Sequence, residues 1–273
     1  TPYGPRALLG SVCVDATGDG DLAAFAGAES VSGNQRDRMA MWASVGWFSA
    51  PGVYRGGNFA TSLDCGDVLD YTRFLLVGRR RGADDLYDHA AYLAPRETRH
   101  ILGDIVLTLD DQLLQRRFPD TVSLCLSNHD TKGISAADIV YQGVLPPHLE
   151  IEVPYRAFLP RGLEGILVTG KALSCTHDAL SALRMIDDLQ QQGGAVGAAA
   201  ALAATKQVAP RAIDVRRLQR KMIKKGLLPR RVLRGSEDVK TDPSALIAGL
   251  TGEEPLQALD MGIHERKTEP DGV

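Results

Sequence analysis

The sequence predicts an α/β fold: part of a three-layer domain on a parallel sheet, a mixed or antiparallel β insertion within it, and helices towards the C-terminus. Three observations carry this expectation. Two distant segments, residues 11–29 (SVCVDATGDGDLAAFAGAE) and 165–203 (GILVTGKALSCTHDALSALRMIDDLQQQGGAVGAAAALA), each read as a buried strand, a glycine turn and a helix opening. Between them, Trp42, Trp47, Phe48, Tyr54, Phe59 and Tyr71 stand among glycines with irregular alternation, the texture of an inserted sheet. After them, residues 213–225 form a basic amphipathic pattern at helical spacing.

In chain order, residues 7–14 are an apolar, partly β-branched run, expected as a parallel strand with Cys13 buried in it. Gly18 and Gly20 break it, and the alanine-rich residues 21–28 follow as helix. Residues 96–108 (RETRHILGDIVLT) begin polar and end as strand. Residues 109–117 (LDDQLLQRR) read as a short helix, with Asp110 and Asp111 complementing its positive end. Pro146 and Pro147 mark a loop, and residues 151–159 (IEVPYRAFL) an extended segment interrupted by Pro154. A short strand at 166–168 leads into a helix over about 178–204, whose Gly193, Gly194 and Gly197 permit close packing. The basic helix has Val215, Leu218 and Met222 on its apolar face and is ended by Gly226 and Pro229. The last forty or so residues are polar with weak periodicity, a loosely attached tail. No internal repeat is visible.

The composition is that of a soluble globular protein: 273 residues, 44% hydrophobic and 24% charged. A net charge of -3 argues against a general nucleic-acid binder, and the basic cluster over residues 206–240 reads as docking on its own protein. Four widely spaced cysteines without a CxxC suit a reducing compartment, so a cytoplasmic protein is expected. The longest small-residue run, 193–204, is shorter than the ~20 residues of a membrane span. His89, His100, His129, His148 and His264 show no metal-ligand spacing, and neither GxSxG nor a P-loop occurs. No metal, nucleic acid or membrane is expected as a partner. The chain opens on Thr1-Pro2-Tyr3-Gly4-Pro5, runs almost directly into a core strand, and has no GxGxxG after any candidate strand. The expectation is a second part of a dinucleotide-binding protein whose first part lies on a separate, cleaved or truncated polypeptide.

Chemistry concentrates at the two glycine turns. In residues 15–21 (DATGDGD), the small residues Ala16, Thr17 and Gly18 let a ligand approach backbone, with Asp15, Asp19 and Asp21 beside them. Asp19 and Asp21 read equally well as helix-capping residues, each worth ~0.3–1 kcal/mol. Their charge would repel a phosphate, so the turn is expected to meet hydroxyls or an uncharged base. The second turn delivers Gly170, Lys171, Ser174, Thr176 and His177 at the end of a strand and the start of a helix. The positive end of such a helix stabilises a developing anion by up to ~2 kcal/mol. His177 reads as a proton donor, a cofactor contact or a helix cap. Arg184, two helical turns on and on the same face, reaches the same ligand or is an exposed helix arginine. Asp187 and Asp188 are adjacent, point in different directions and make a poor acid/base pair. Arg96-Glu97-Thr98-Arg99 is either a surface salt-bridge cluster or brings an arginine to an acidic or polar substrate group.

Four stretches in order, VCVDATGDGDLAAFAGAE, RETRHILGDIVLT, EVPYRAFLPRGLEGILVTGKALSCTH and SALRM through QQGGAVGAAAALA, followed by the basic helix after Pro210, carry a resemblance. From Val12 to about Lys225 the chain resembles the FAD-dependent oxidoreductase family of the glutathione-reductase-like flavoprotein superfamily. The resemblance implies a Rossmann-like FAD-binding domain made of residues 1–32 and 151–210. It also implies a substrate domain inserted at 33–150, and a basic helix with polar tail at 211–273. FAD is the implied cofactor, with Asp15, Ala16, Thr17, Gly18, Asp19, Asp21, Gly170, Lys171, Ser174, Thr176, His177 and Arg184 lining its site. His177 is implied close to the ring system, as acid/base or flavin contact, and Arg99 or Arg156 as anchors of a small-molecule substrate. The implied reaction is hydride transfer between an organic substrate and FAD, in company with an N-terminal FAD-binding polypeptide that carries the dinucleotide fingerprint. A non-catalytic structural or regulatory subunit of the same fold is the alternative. No second nicotinamide-binding motif is visible, which favours oxygen or another protein as electron acceptor.

Overall fold

The computed structural model describes residues 4, 7–34, 38–61, 63–81, 92–131, 149–235, 237–240, 242 and 244. In chain order the elements are β1 (Cys13–Asp15), α1 (Asp21–Phe25), β2 (Ser30–Ser32), β3 (Ala43–Ala50), β4 (Val53–Thr61), α2 (Val68–Arg81), β5 (Tyr92–Ala94) and β6 (Arg99–Ile101). They continue as α3 (Leu109–Leu113), β7 (Thr121–Cys125), β8 (Ile151–Pro154), β9 (Ile166–Val168), α4 (His177–Leu180), α5 (Ile186–Lys206) and α6 (Val215–Lys224).

The two distant segments meet. β1 pairs with β9 in parallel, Cys13 opposite Ile166, Val14 opposite Leu167 and Asp15 opposite Val168. The strand is shorter than the expected 7–14: Leu8 and Leu9 are almost fully exposed, and Cys13 is exposed where burial was expected. The reason is local. β1 has β9 on one side and no hydrogen-bonded strand on the other among the described residues, so its ladder finds partners only across β9.

Residues 43–94 hold a β4-β3-β5 antiparallel sheet, where an antiparallel or mixed one was expected, over a small core of Ala43, Val45, Leu63, Phe74 and Leu93. Phe74 comes from α2, a helix the reading of residues 30–92 as sheet did not anticipate. A separate pair, β2-β6, runs antiparallel with Val31 opposite His100 and carries residues 97–101 towards the β1-β9 turns. The main core lies elsewhere, between the antiparallel β7-β8 pair and helices α4, α5 and α6. It includes Val122, Val153, Leu183, Val196, Leu218 and Met222, each such side chain contributing ~1.5–3 kcal/mol of apolar transfer.

The expected helix over 178–204 is two. α4 ends at Leu180, a turn follows, and α5 starts at Ile186 with Asp187 and Asp188 in its first turn. Asp188 uses that position to accept a hydrogen bond from the Leu126 amide at 3.1 Å. A Cβ on Gly193, Gly194 or Gly197 would meet nothing within 4 Å, so these glycines serve no close packing among the described residues. α3 stops at Leu113 and is fixed by a reciprocal capping box between Thr108 and Asp111. α6 matches the basic amphipathic pattern, with Asp214 capping it and Leu218 and Met222 buried. Residues 237–240 are tied to the α3 end: Val239 bridges Arg116, and the Lys240 amide donates to Leu114 O. Pro146, Pro147, His89, His148, His264 and the tail beyond 244 lie outside the described residues. Among those residues no helix is long and apolar enough to cross a membrane.

Candidate functional site

The parallel register brings the turns after β1 and β9 side by side at the C-terminal ends of both strands, where open α/β sheets receive ligands. The Thr169 amide donates to Asp15 O at 2.9 Å and continues the ladder into the turns. Asp15 is buried and organises the first turn. Its Oδ1 accepts from the Thr17 amide at 3.1 Å and the Thr17 hydroxyl at 2.7 Å, and its Oδ2 from the Ala23 amide at 2.8 Å. Thr17 Oγ1 in turn accepts from the Asp21 amide at 3.1 Å. The chain can wrap this tightly because Gly18 and Gly20 take φ of 83° and 66°. Gly20 also lies against the sheet: an added Cβ would stand 2.8 Å from Ile101 Cγ1 and 3.1 Å from Ala172 Cβ. Gly170, at φ 91°, faces Gly18, with 3.9 Å between an added Cβ and Gly18 Cα. Ala16 and Thr17 are exposed, so the paired turns present a ledge of bare backbone.

The carboxylates on the ledge are neutralised. Asp19 forms an ion pair with Lys171 and accepts from the Thr98 hydroxyl at 2.8 Å. Arg99 donates to Asp19 O at 3.1 Å and to Asp21 Oδ1 at 2.6 Å. Burial alone would raise the Asp19 carboxyl, but the hydrogen bonds from Lys171 and Thr98 outweigh it and hold the group below its ordinary value. The repulsion of phosphate expected from the two aspartates is therefore offset by two cations that the sequence places far away. Arg99 thus meets the ledge through a charged segment whose other reading was a surface salt-bridge cluster.

Behind Thr98 lies a buried ionisable unit. Glu97 Oε1 faces His100 Nε2 at 2.8 Å, and Glu97 Oε2 faces His177 Nδ1 at 2.7 Å. The Met41 amide donates to the same Oε2 at 2.7 Å, and His100 Nδ1 lies 3.5 Å from Cys175 Sγ. Burial raises the Glu97 carboxyl, but the bonds from His100 and His177 prevail and bring it down to about 2. Burial pushes the His100 imidazole down, yet Cys175 and Glu97 outweigh it and carry it up to about 10. His177 is likewise raised, burial being overcome by its bond to Glu97 and that carboxylate's charge. Glu97, His100, Thr98 and Cys175 were missed as site residues. The one trace in the sequence was the ionisable run RETRH, which reads as surface until β6 carries it inward. Among the described residues no three His, Cys, Asp or Glu side chains converge as a metal ion requires.

The other residues of interest lie around this group. Ser174 Oγ accepts from the Gly103 amide at 2.8 Å and donates to Ile105 O at 2.7 Å, pinning the chain after β6. Thr176 precedes α4, and its amide donates to Leu107 O at 2.8 Å. Arg184 sits in the turn between α4 and α5, not two turns along one helix from His177, and donates to Asp130 O at 2.6 Å and Oδ2 at 2.8 Å. Arg156 stands apart, in a short turn after β8, held by Asp120 at 3.1 Å and Glu237 at 2.8 Å. A cleft of about 480 Å³ adjoins the ledge. Its lining includes Arg38, Leu63, Cys65, Asp70, Glu97 and Arg99, with Thr98 between the last two.

Residues 67–222, more than half of the chain, match the family described as FAD dependent oxidoreductase. No curated protein and no solved structure matches the chain. The matched stretch contains α2, Glu97–His100, β9 and the turn of Gly170, whereas Asp15–Asp21 precedes it. The residues present fit a flavin nucleotide: bare backbone at Ala16–Gly18 and Gly170 admits a flat ring, and Lys171 and Arg99 cancel the charge of Asp19 and Asp21. The chain belongs to the FAD-dependent oxidoreductase family, and its cofactor is FAD.

Proposed function

We propose that this chain is the C-terminal polypeptide of an FAD-dependent oxidoreductase that moves hydride between an organic substrate and FAD. An N-terminal polypeptide carrying the dinucleotide fingerprint completes it. The observation that carries the reading is the parallel pairing of β1 with β9, which sets two glycine turns side by side next to a 480 Å³ cleft. The open side of β1 and the exposed Leu8, Leu9, Val14 and Phe25 around it support a further strand there, from the N-terminal polypeptide. In this reading residues 1–32 and 151–210 build a Rossmann-like FAD domain, 33–150 the substrate domain, and 211–273 a helix and tail.

FAD supplies the redox chemistry when bound; orientation and proton handling fall to the protein. Ala16, Thr17, Gly18, Gly170 and Lys171 hold the cofactor on the ledge. Arg99, which lines the cleft beside its bond to Asp21, anchors an acidic or polar group of the substrate, whereas Arg156 lies outside that lining, bound to Asp120 and Glu237. His177 carries a proton at Nδ1, buried against Glu97, and acts as acid or base behind the cleft wall. Asp19, Asp21, Ser174, Thr176 and Arg184 keep these groups in place.

The test is native mass spectrometry and visible absorption of the protein as isolated from its source. The expected result is a flavin-bearing complex with a second polypeptide, whose turnover or flavin spectrum changes on His177→Ala. A lone, colourless chain would overturn the reading.

A further inference from the structure

We propose that Glu97 is a positioning residue of this site: its carboxylate, clamped between His100 and His177, keeps the proton on His177 Nδ1 and presents that imidazole as an acid behind the cleft. The inference rests on the proposed role of His177. Its basis is geometric. Oε2 of Glu97 accepts from the Met41 amide and faces His177 Nδ1, and the carboxylate, held ionised by its bonds to both imidazoles, can only accept. His177 Nδ1 therefore carries a hydrogen. On the other oxygen, His100 Nε2 stands at 2.8 Å with its side chain fully buried, which fixes the carboxylate's rotation. Oriented by a buried carboxylate, an imidazole is held in one tautomer and its protonated form is stabilised.

Position adds to this. Glu97 lines the cleft together with its neighbours Thr98 and Arg99, so the unit sits directly behind the wall the substrate would touch. Among the described residues, charged groups that bear on His177 include Glu97 just before β6, His100 within it, and Asp178 on its own helix; Cys175, two residues before it, touches His100. Glu97 and Asp178 favour the imidazolium and His100 opposes it, with Glu97 prevailing. The directions already described, Glu97 down and both histidines up, agree with a carboxylate that holds hydrogen on the two imidazoles facing it.

The experiment is a pH titration of the histidine ring nitrogens by long-range 1H–15N NMR on the complete 15N-labelled protein. In wild type, the His177 ring should remain protonated above its ordinary value of 6.5. In Glu97→Gln its protonation constant should fall by about tenfold or more, about one pH unit. With flavin and substrate present, the alkaline limb of the kcat/KM profile should move to lower pH by a similar amount. Should Glu97→Gln fail to fold, the wild-type titration decides, because a His177 that titrates at 6.5 or below overturns the proposal. An unchanged His177 titration in a folded Glu97→Gln variant overturns it too, leaving the role of His177 intact. If instead the coupling is seen but His177→Ala keeps wild-type turnover and flavin spectrum, the reading of His177 fails, and Glu97 positions nothing in the reaction.

Discussion

At the scale of single residues, the ledge depends on backbone conformations that only some side chains allow. Gly20 combines φ of 66° with sheet contacts closer than real Cβ atoms make. Gly20→Ala should cost about 2–4 kcal/mol, from left-handed strain and overpacking against Ile101 and Ala172. Gly27 has φ of 94° but open space around it, so Gly27→Ala should cost only ~1–2 kcal/mol. Chemical denaturation of both variants separates the two terms; equal losses would mean that Gly20 does not press on the sheet. Gly18 and Gly20 were legible because a strand followed by closely spaced glycines has few other uses. Glu97 was not legible. A carboxylate among arginines reads as solvated, and only the arrival of His177 from 80 positions away turns it into the centre of a buried unit.

Among the elements, what could be read depended on whether one segment or several set its limits. α6 was legible almost to the residue because its cap, apolar face and terminating glycine are all local. β1 was not: its length follows from having one neighbouring strand, which no local pattern encodes. The break between α4 and α5 escaped for a similar reason, since Ser181 to Met185 carries no proline or glycine to mark it. α2 was hidden because its apolar residues stand among the aromatic and glycine texture of the insertion. The glycines of α5 invite a direct test. Gly194 and Gly197 are exposed and in open space, so Gly197→Ala should stabilise this chain by ~0.5–1 kcal/mol through helix propensity. A raised midpoint of thermal unfolding is the expected result, and a lowered one would mean that something packs against that face.

For the molecule as a whole, the buried titratable groups set a pH optimum of stability. Glu97 is lowered from 4.5 to about 2, so its contribution is present above 4.5 and is lost as pH falls towards 2. His100 is raised from 6.5 to about 10, so its contribution is present below 6.5 and is lost as pH rises towards 10. His129 is lowered by burial from 6.5 to about 4, and the unfolded chain gains that proton first as pH falls below 6.5. Together these terms place maximum stability near pH 6.5, with losses on both sides. Urea midpoints measured from pH 4 to 9 should show that peak, and His129→Asn should flatten its acid side. A midpoint that climbs steadily from pH 6.5 to 9 would contradict the assignment.

The pairing of Cys13 with Ile166 has a kinetic side as well. About 150 residues separate these two strands, and the closure entropy of so long a loop is offset by a ladder of three residue pairs and by the contacts of Asp19 with Lys171 and of Gly20 with Ala172. The hairpins and helices between them rest on nearer contacts and have no such delay. Contact separation therefore predicts that the scaffold forms before the ledge, so amide exchange during refolding should protect the β7-β8 ladder before the Thr169 amide.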